Sequence, residues 1–334
     1  MNDVLITVIV PIYNVERYLK ECLESIKVVF DNINVEILLI DDGSKDSSGD
    51  IAESYASNYK NIRVFHKENG GLSDARNYGL YQALGKYVIF IDSDDIIESN
   101  NFKNMVDQLE ICNGDIYLWN GVEVNENGQK MNLLDNNYFV HSGLEENKVY
   151  SGVESIYLQL LNHDDYVTTV WLGAYKKSFL INNNLWFEKG LLHEDELWTI
   201  KTLICANSVE YFDKTIYLYR QRENSIMNQV EKKYTKNIKD ISYIYTSLYS
   251  YVNWKISVNK YARLIKGNIS KRYLHALNRF KINRDLYKKN DIKALMILNN
   301  SNRSIDKIRS IILFISPWLY CEIYKIFKQN KEMN

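Results

Sequence analysis

The chain is 334 residues long, 46% hydrophobic and 25% charged, with a formal net charge of −1. That content supplies a packed core and excludes a disordered or low-complexity protein, and the length fits one large domain or a domain with an appendage. The near-neutral total hides a polarity: residues 231–334 hold 22 Lys and Arg against 7 Asp and Glu, net +15, while the remainder is net −16.

A basic segment of this kind implies an anionic partner: a membrane surface, a nucleic acid, or the acidic part of the chain itself. Cys22, Cys112, Cys205 and Cys321 are far apart and form no Cys-x-x-Cys or His-spaced pattern, so buried thiols are expected rather than zinc or disulfides. No basic stretch precedes the apolar run that ends at Val10, so a secretory signal is not expected and the chain reads as cytosolic.

In chain order, Leu5–Val10, Val35–Ile40, Ile62–Phe65, Tyr87–Ile91 and Ile116–Trp119 are short apolar runs that predict strands. Between them, Glu16–Phe30, Ser47–Tyr59, Ser73–Leu84 and Asn101–Cys112 have the apolar spacing of helices. This alternation predicts an α/β fold with a mostly parallel sheet flanked by helices, its ligands lying beyond the carboxyl ends of the strands. Residues 123–147 are polar and irregular, with a turn signal at Asn127-Gly128. Further helices are predicted at Val153–Leu161 and His193–Cys205, a strand at Thr215–Tyr219, and a Lys- and Tyr-rich helical segment from about residue 231.

Three polar clusters follow predicted strands and should meet at one edge: Pro11-Ile12-Tyr13-Asn14, Asp41-Asp42-Gly43-Ser44 and Asp92-Ser93-Asp94-Asp95. The last suits a hard divalent cation, which needs only one or two carboxylates when substrate phosphates complete its shell. It equally suits a helix N-cap with an acidic first turn over Asp95–Asn100. Asp42 could accept the imide N–H of a uracil ring or be an ordinary turn residue. In Glu68-Asn69-Gly70-Gly71-Leu72-Ser73-Asp74-Ala75-Arg76-Asn77 a Gly-Gly loop opens a helix, placing Arg76 one turn inside to reach a diphosphate or to pair with a carboxylate. The loop has neither the Walker A nor the dinucleotide-fold pattern, which weakens kinase and dehydrogenase readings.

Taken in order, Pro11-x-Tyr13-Asn14, Asp41-Asp42-Gly43-Ser44, Gly70-Gly71-Leu72-Ser73-x-Ala75-Arg76-Asn77 and Asp92-Ser93-Asp94-Asp95 resemble the family 2 inverting glycosyltransferases of GT-A fold, of the bacterial surface-polysaccharide type. The resemblance covers roughly residues 4–228. It implies that Pro11, Tyr13, Asp42, Arg76, Asp92, Ser93 and Arg222 bind a nucleotide-sugar donor, with UDP favoured. Asp92 and Asp94 would hold Mn²⁺ or Mg²⁺, Asp94 most directly, and Asp95 would be a capping residue.

His193-Glu194-Asp195-Glu196-Leu197-Trp198 is similar to the family's acidic acceptor-side motif. That likeness implies Asp195 as the base, Glu194 as an acceptor-orienting group and His193 as support. Trp171 is placed by the same resemblance in the acceptor region, where an aromatic face would stack on a sugar, although a core Trp fits equally well. Tyr219-Arg220-Gln221-Arg222-Glu223-Asn224-Ser225 resembles the family's Arg-x-x-Ser segment, with Arg222 preferred over Arg220 to neutralise the leaving diphosphate. The C-terminal His that some GT-A enzymes add to the metal is missing unless His275 serves.

The expected domains are a glycosyltransferase domain over residues 1–228, with a nucleotide-sugar half to 122 and an acceptor half from 123, and a basic helical extension over 229–334. Within the extension, Ser310–Cys321 is apolar but shorter than the roughly 18 residues that span a bilayer. With Pro317 breaking it and Lys307, Arg309, Lys325 and Lys328 around it, the run suits an interfacial helix. The extension could instead pack on the catalytic domain or a second protomer. The expected partners are therefore a nucleotide sugar, a lipid-linked saccharide acceptor and an anionic membrane, with capsule or other polysaccharide assembly at the inner face of the cell membrane. A sugar-nucleotide nucleotidyltransferase and a non-enzymatic membrane- or RNA-binding module are the alternatives.

Overall fold

The computed structural model describes residues 4–131, 138–222, 234–290 and 292–323. They fall into two compact units, Met1–Asn162 with Tyr166–Arg222, and His163–Asp165 with Glu223–Asn334. The boundary expected at 228/229 lies outside the described residues.

The first unit is built on strands β1 (Ile6–Ile12), β2 (Val35–Asp41), β3 (Ile62–His66), β4 (Tyr87–Phe90), β5 (Ile96–Ile97), β6 (Ile116–Val124), β7 (Gly173–Lys176) and β8 (Val209–Arg220). They form one sheet in the order β3-β2-β1-β4-β7-β6-β8-β5. Four of the seven neighbouring pairs are parallel; β7 runs against both β4 and β6, and β5 runs against β8. β6 continues through position 122, so the two expected halves share a strand as well as a sheet. The short β5 and β7 have no apolar run of their own to announce them in the sequence.

Helices α1 (Glu16–Ser25), α2 (Ser48–Asn58), α3 (Leu72–Gln82) and α4 (Ser99–Leu109) follow β1, β2, β3 and β5. α4 shows why such a segment is helical. Phe102, Met105, Val106 and Leu109 recur at the 3.6-residue period and are buried, and Glu98 caps the helix by accepting from the Asn101 N–H at 2.7 Å. Each such side chain contributes about 1.5–3 kcal/mol of transfer free energy. Alternation along β1 divides the interior. Ile6, Val8, Val10 and Ile12 join the α1, α2 and α4 residues in one core, while Ile9 meets α3 on the other face. There Gly79 must lack a side chain, because a Cβ would lie 2.5 Å from Ile9 Cγ2.

After β6 come α5 (Gly152–His163), α6 (Lys177–Asn182) and α7 (Glu194–Cys205). α7 seats Trp198 against Phe187, Tyr175 and Phe90, with ring centroids 4.4, 4.8 and 6.0 Å away. This aromatic cluster anchors the acidic first turn of α7.

The second unit is helical: α8 (Tyr234–Lys255), α9 (Asn259–Arg279), α10 (Arg284–Lys289), α11 (Ala294–Asn300) and α12 (Ser304–Ile315). α8 and α9 form a hairpin whose core includes Ile241, Leu248, Ile265, Ile269 and Tyr273. The helical pattern breaks at Ser316, directly before Pro317, and resumes over 317–323.

Candidate active site

Parallel pairing of β1 with β2 and β4 brings the three predicted polar clusters to one edge of the sheet. Pro11 is buried within β1, and Tyr13 is exposed just beyond its end. Asn14 adopts a left-handed φ of 51° and ties this turn to the next, its Oδ1 accepting from Lys45 N–H at 2.8 Å.

Asp42 is turned inward. Gly70 and Gly71 N–H groups donate to its carboxylate at 2.9 and 2.8 Å, and Lys67 pairs with it. These contacts fold the Gly-Gly loop against the end of β2, the turn role that the sequence allows for Asp42 beside that of imide acceptor. Lys67 also bridges to Asp74, at 2.7 Å. Gly70 cannot be replaced without movement, because a Cβ would lie 2.3 Å from Asp74 Oδ2.

Arg76, 2% exposed, donates to Glu194 Oε1 at 2.7 Å and to Asp92 Oδ1 at 2.8 Å. Of the two roles that the sequence leaves open for Arg76, this is the carboxylate pairing, with both arms of the guanidinium engaged. This bridge joins the acidic strand end to the acidic helix start, 102 residues apart in sequence.

Asp94 pairs with Arg222 at 2.6 Å. Burial pushes its carboxyl up, Arg222 pulls it down, and Asp92 pushes it up again, for a net rise. Ser93 is buried between the two acids in sequence. Asp95 is corrected from a helix cap to a buried strut: it accepts from Tyr217 Oη and Arg220 N–H, both at 2.7 Å, while Glu98 caps α4. Burial, then Asp94 and Asp92, raise the Asp95 carboxyl well above the carboxylate range.

Several contributors escaped the sequence reading. Tyr217 Oη accepts from Asp92 N–H at 3.1 Å while donating to Asp95, so one phenol fixes both ends of the acidic turn. Arg220 donates to Asp94 O at 2.9 Å and to Glu21 at 2.7 Å, a structural task distinct from that of Arg222. Both guanidiniums lie over the Tyr18 ring, 5.4 and 5.2 Å from its centroid. Alternation along the predicted Thr215–Tyr219 strand is the signal that could have paired Tyr217 with the acids. Ser225, the last residue of the Arg-x-x-Ser resemblance, lies outside the described residues.

Across the Arg76 bridge, α7 starts after His193, whose φ of 61° reverses the chain. Burial, then Glu194 and Glu196, push the Asp195 carboxyl up to about 8 against the pull of Arg76. Trp171 has the core position that the sequence allows for it beside the acceptor-region one. It is 5% exposed and stacks on Tyr217 at 4.0 Å and Tyr219 at 5.7 Å, beneath the acidic turn. His275 stands in α9 of the second unit, in the field of Arg279, Arg309, Asp165 and Lys271.

The pattern of glycosyl transferase family 2 matches residues 7–178. The chain belongs to that family. The glycosyltransferase EpsJ of Bacillus subtilis is 33% identical over 226 residues, 66% of this chain and 62% of EpsJ, so the match spans about three fifths of that relative's length. Among solved structures, S. aureus TarS 1–349 in complex with UDP-GlcNAc has a TM-score of 0.67 and 20% identity over 98% of this chain and 92% of that one. The mannosyltransferase PcManGT of Pyrobaculum calidifontis, solved with GDP-Man and Mn²⁺, has a TM-score of 0.50 and 12% identity over 96% of this chain and 86% of its own. The family 2 chain thus has a GT-A-type fold.

Within that family setting the donor set can be tested against a metal. Among the described residues no three His, Cys, Asp or Glu side chains are grouped to hold one. Two carboxylates, Asp92 and Asp94, share the strand end, and each faces a guanidinium. Their hard oxygen donors fit a divalent cation whose remaining ligands come from substrate phosphates, and such an ion would compete with Arg76 and Arg222 for them.

Proposed function

We propose that this family 2 protein is an inverting transferase that moves a hexosyl or N-acetylhexosaminyl group from a UDP-sugar to a saccharide hydroxyl. The observation that carries the proposal is the Arg76 bridge, which sets Asp92 and Glu194 on one buried guanidinium and so makes the strand-end acids and the Asp195 turn a single site. The complex of TarS with UDP-GlcNAc supports the choice of donor.

In the proposed reaction Asp195 accepts the proton of the acceptor hydroxyl as its oxygen attacks the anomeric carbon, on the face opposite the departing diphosphate. A carboxyl held at about 8 is matched to that task near neutral pH. Glu194, fixed by Arg76, orients hydroxyl groups beside it. Arg222 meets the negative charge that develops on the leaving diphosphate. Asp94 and Asp92 would hold Mn²⁺ or Mg²⁺, which when bound supplies positive charge to the diphosphate oxygens. The acceptor is proposed to be lipid-linked, in assembly of capsule or another surface polysaccharide at the inner face of the membrane.

Screening UDP-, GDP- and dTDP-sugars by thermal shift, with and without Mn²⁺ or Mg²⁺, tests this directly. Metal-dependent stabilisation by UDP-sugars, with slow UDP release, is expected. Stabilisation by none of the donors would overturn the reading.

A further inference from the structure

Helix α12 of the second unit is turned inside out. Its buried residues are Asp306, Ser310 and Leu313, whereas Ile305, Ile308, Ile311 and Ile315 are all exposed, Ile315 by 74%. On the inner face Leu313 is fully buried, Asp306 pairs along its own helix with Arg303 at 3.4 Å and Arg309 at 3.5 Å, and the Ser310 and Ser301 hydroxyls are 3.0 Å apart. A helix bordering water shows the reverse arrangement.

At about 100° per residue the four isoleucines fall within an arc of about 120°, centred opposite the buried side chains. Lys307 and Arg309 fall on either edge of that arc. Beyond the break at Pro317, Trp318 and Leu319 add further exposed apolar surface. An apolar patch this continuous, rimmed by cations, marks an interaction surface.

We propose that the outer face of α12, continued by Trp318 and Leu319, docks in the plane of an anionic lipid bilayer. The inference deepens the proposed transfer to a lipid-linked acceptor, rests on that reading, and names the surface that meets the lipid. Twelve residues make a helix about 18 Å long, short of a bilayer core, and no helix among the described residues is long and apolar enough to cross a membrane.

Charge selects the occupant. Residues 231–334 carry 22 basic against 7 acidic side chains. A second copy would bring the same cations against themselves across a two-fold contact. Anionic headgroups attract them while the isoleucines enter the acyl boundary, and Trp318 suits the headgroup level. The sequence places the interfacial run at Ser310–Cys321; the structure moves it to the stripe from Ile305 to Leu319.

The test uses the full chain and vesicles of about 30% phosphatidylglycerol in phosphatidylcholine, compared with phosphatidylcholine alone. Co-sedimentation is expected to favour the anionic vesicles by at least about tenfold. Ile311→Asp with Ile315→Asp should lower that binding at least about tenfold. Lys307→Glu should weaken it and reduce its salt dependence. These positions are exposed, so unchanged circular dichroism and unchanged UDP-sugar thermal shift are expected in every variant. Equal sedimentation of wild type and the double aspartate variant would overturn the proposal. So would a wild-type dimer, seen by light scattering, that the same variant dissociates without any vesicle binding. Loss of UDP-sugar binding with vesicle binding intact would instead overturn the transferase reading and leave the docking surface standing.

Discussion

Asp195 shows how one side chain acquires its chemistry from its neighbours. Its position beside Glu194 and Glu196 was legible in the sequence, but its elevated carboxyl was not, because burial and the opposing pull of Arg76 depend on packing. The sign of the consequence is definite. A carboxyl at about 8 is mostly protonated below that pH and becomes a competent base as pH rises through it. The kcat/KM for transfer is therefore expected to rise about tenfold per pH unit on the acid side and level off above about 8, the apparent value belonging to the Glu194–Asp195–Glu196 group as a whole. Asp195→Asn should abolish transfer while leaving UDP binding intact. A flat profile from pH 6 to 9, or full activity in that variant, would remove Asp195 from its role.

Arg76 illustrates the opposite case. The sequence left it open between phosphate and carboxylate, and the structure pairs it with Asp92 and Glu194: a guanidinium removed from water must keep partners, because an unpaired one costs about 3–5 kcal/mol. Trp171 and Asp42 were left open for a related reason. Residue type and order place them near a site, but only the packing of β8 and of the Gly-Gly loop decides whether a ring face or a carboxylate is open.

At the scale of elements, long periodic segments were readable and short ones were not. α4 starts two residues and ends three residues before its expected span, with Glu98 as its cap. β7, inserted antiparallel between two strands, carries too few residues to show a period. His66 at the end of β3 joins three elements, with Nδ1 2.7 Å from Asp41 at the end of β2 and Nε2 2.9 Å from Glu53 on α2.

Asp41 first, then Glu53, raise the His66 pKa above its ordinary value, outweighing burial. Its protonated form thus stabilises the folded state fully below the unfolded value of about 6.5, and that contribution disappears as pH rises through the folded-state value. The urea midpoint is expected to fall between about pH 6 and 8, and His66→Gln to lessen that fall, leaving the part that the raised Asp195 carboxyl contributes over the same range. A midpoint that rises over this range in the wild type, or an identical fall in His66→Gln, would refute the clamp.

Across the whole molecule, the charge count divides the chain into an acidic and a basic part, and the structure has two compact units with different architectures. The cysteines sample both. Cys22 and Cys112 are buried in the first unit, Cys22 Sγ lying 3.7 Å from Asp92 O beneath the acidic turn, while Cys321 is buried in the second. Buried thiols react with an aromatic disulfide reagent only through opening of the structure, so their labelling rates measure the stability of each unit separately.

A ligand bound only to the native state lowers the open population by the factor 1 + [L]/Kd, or about a hundredfold at a hundred times Kd. UDP with Mn²⁺ is therefore expected to slow labelling of Cys22 and Cys112 by about that factor when opening is at rapid equilibrium. Cys321 labelling that stays constant would mean that the units open separately, and slowing in step with Cys22 would mean that they open together. Undiminished labelling of Cys22 at saturating UDP and metal would contradict a donor site built on the acidic turn directly above that thiol.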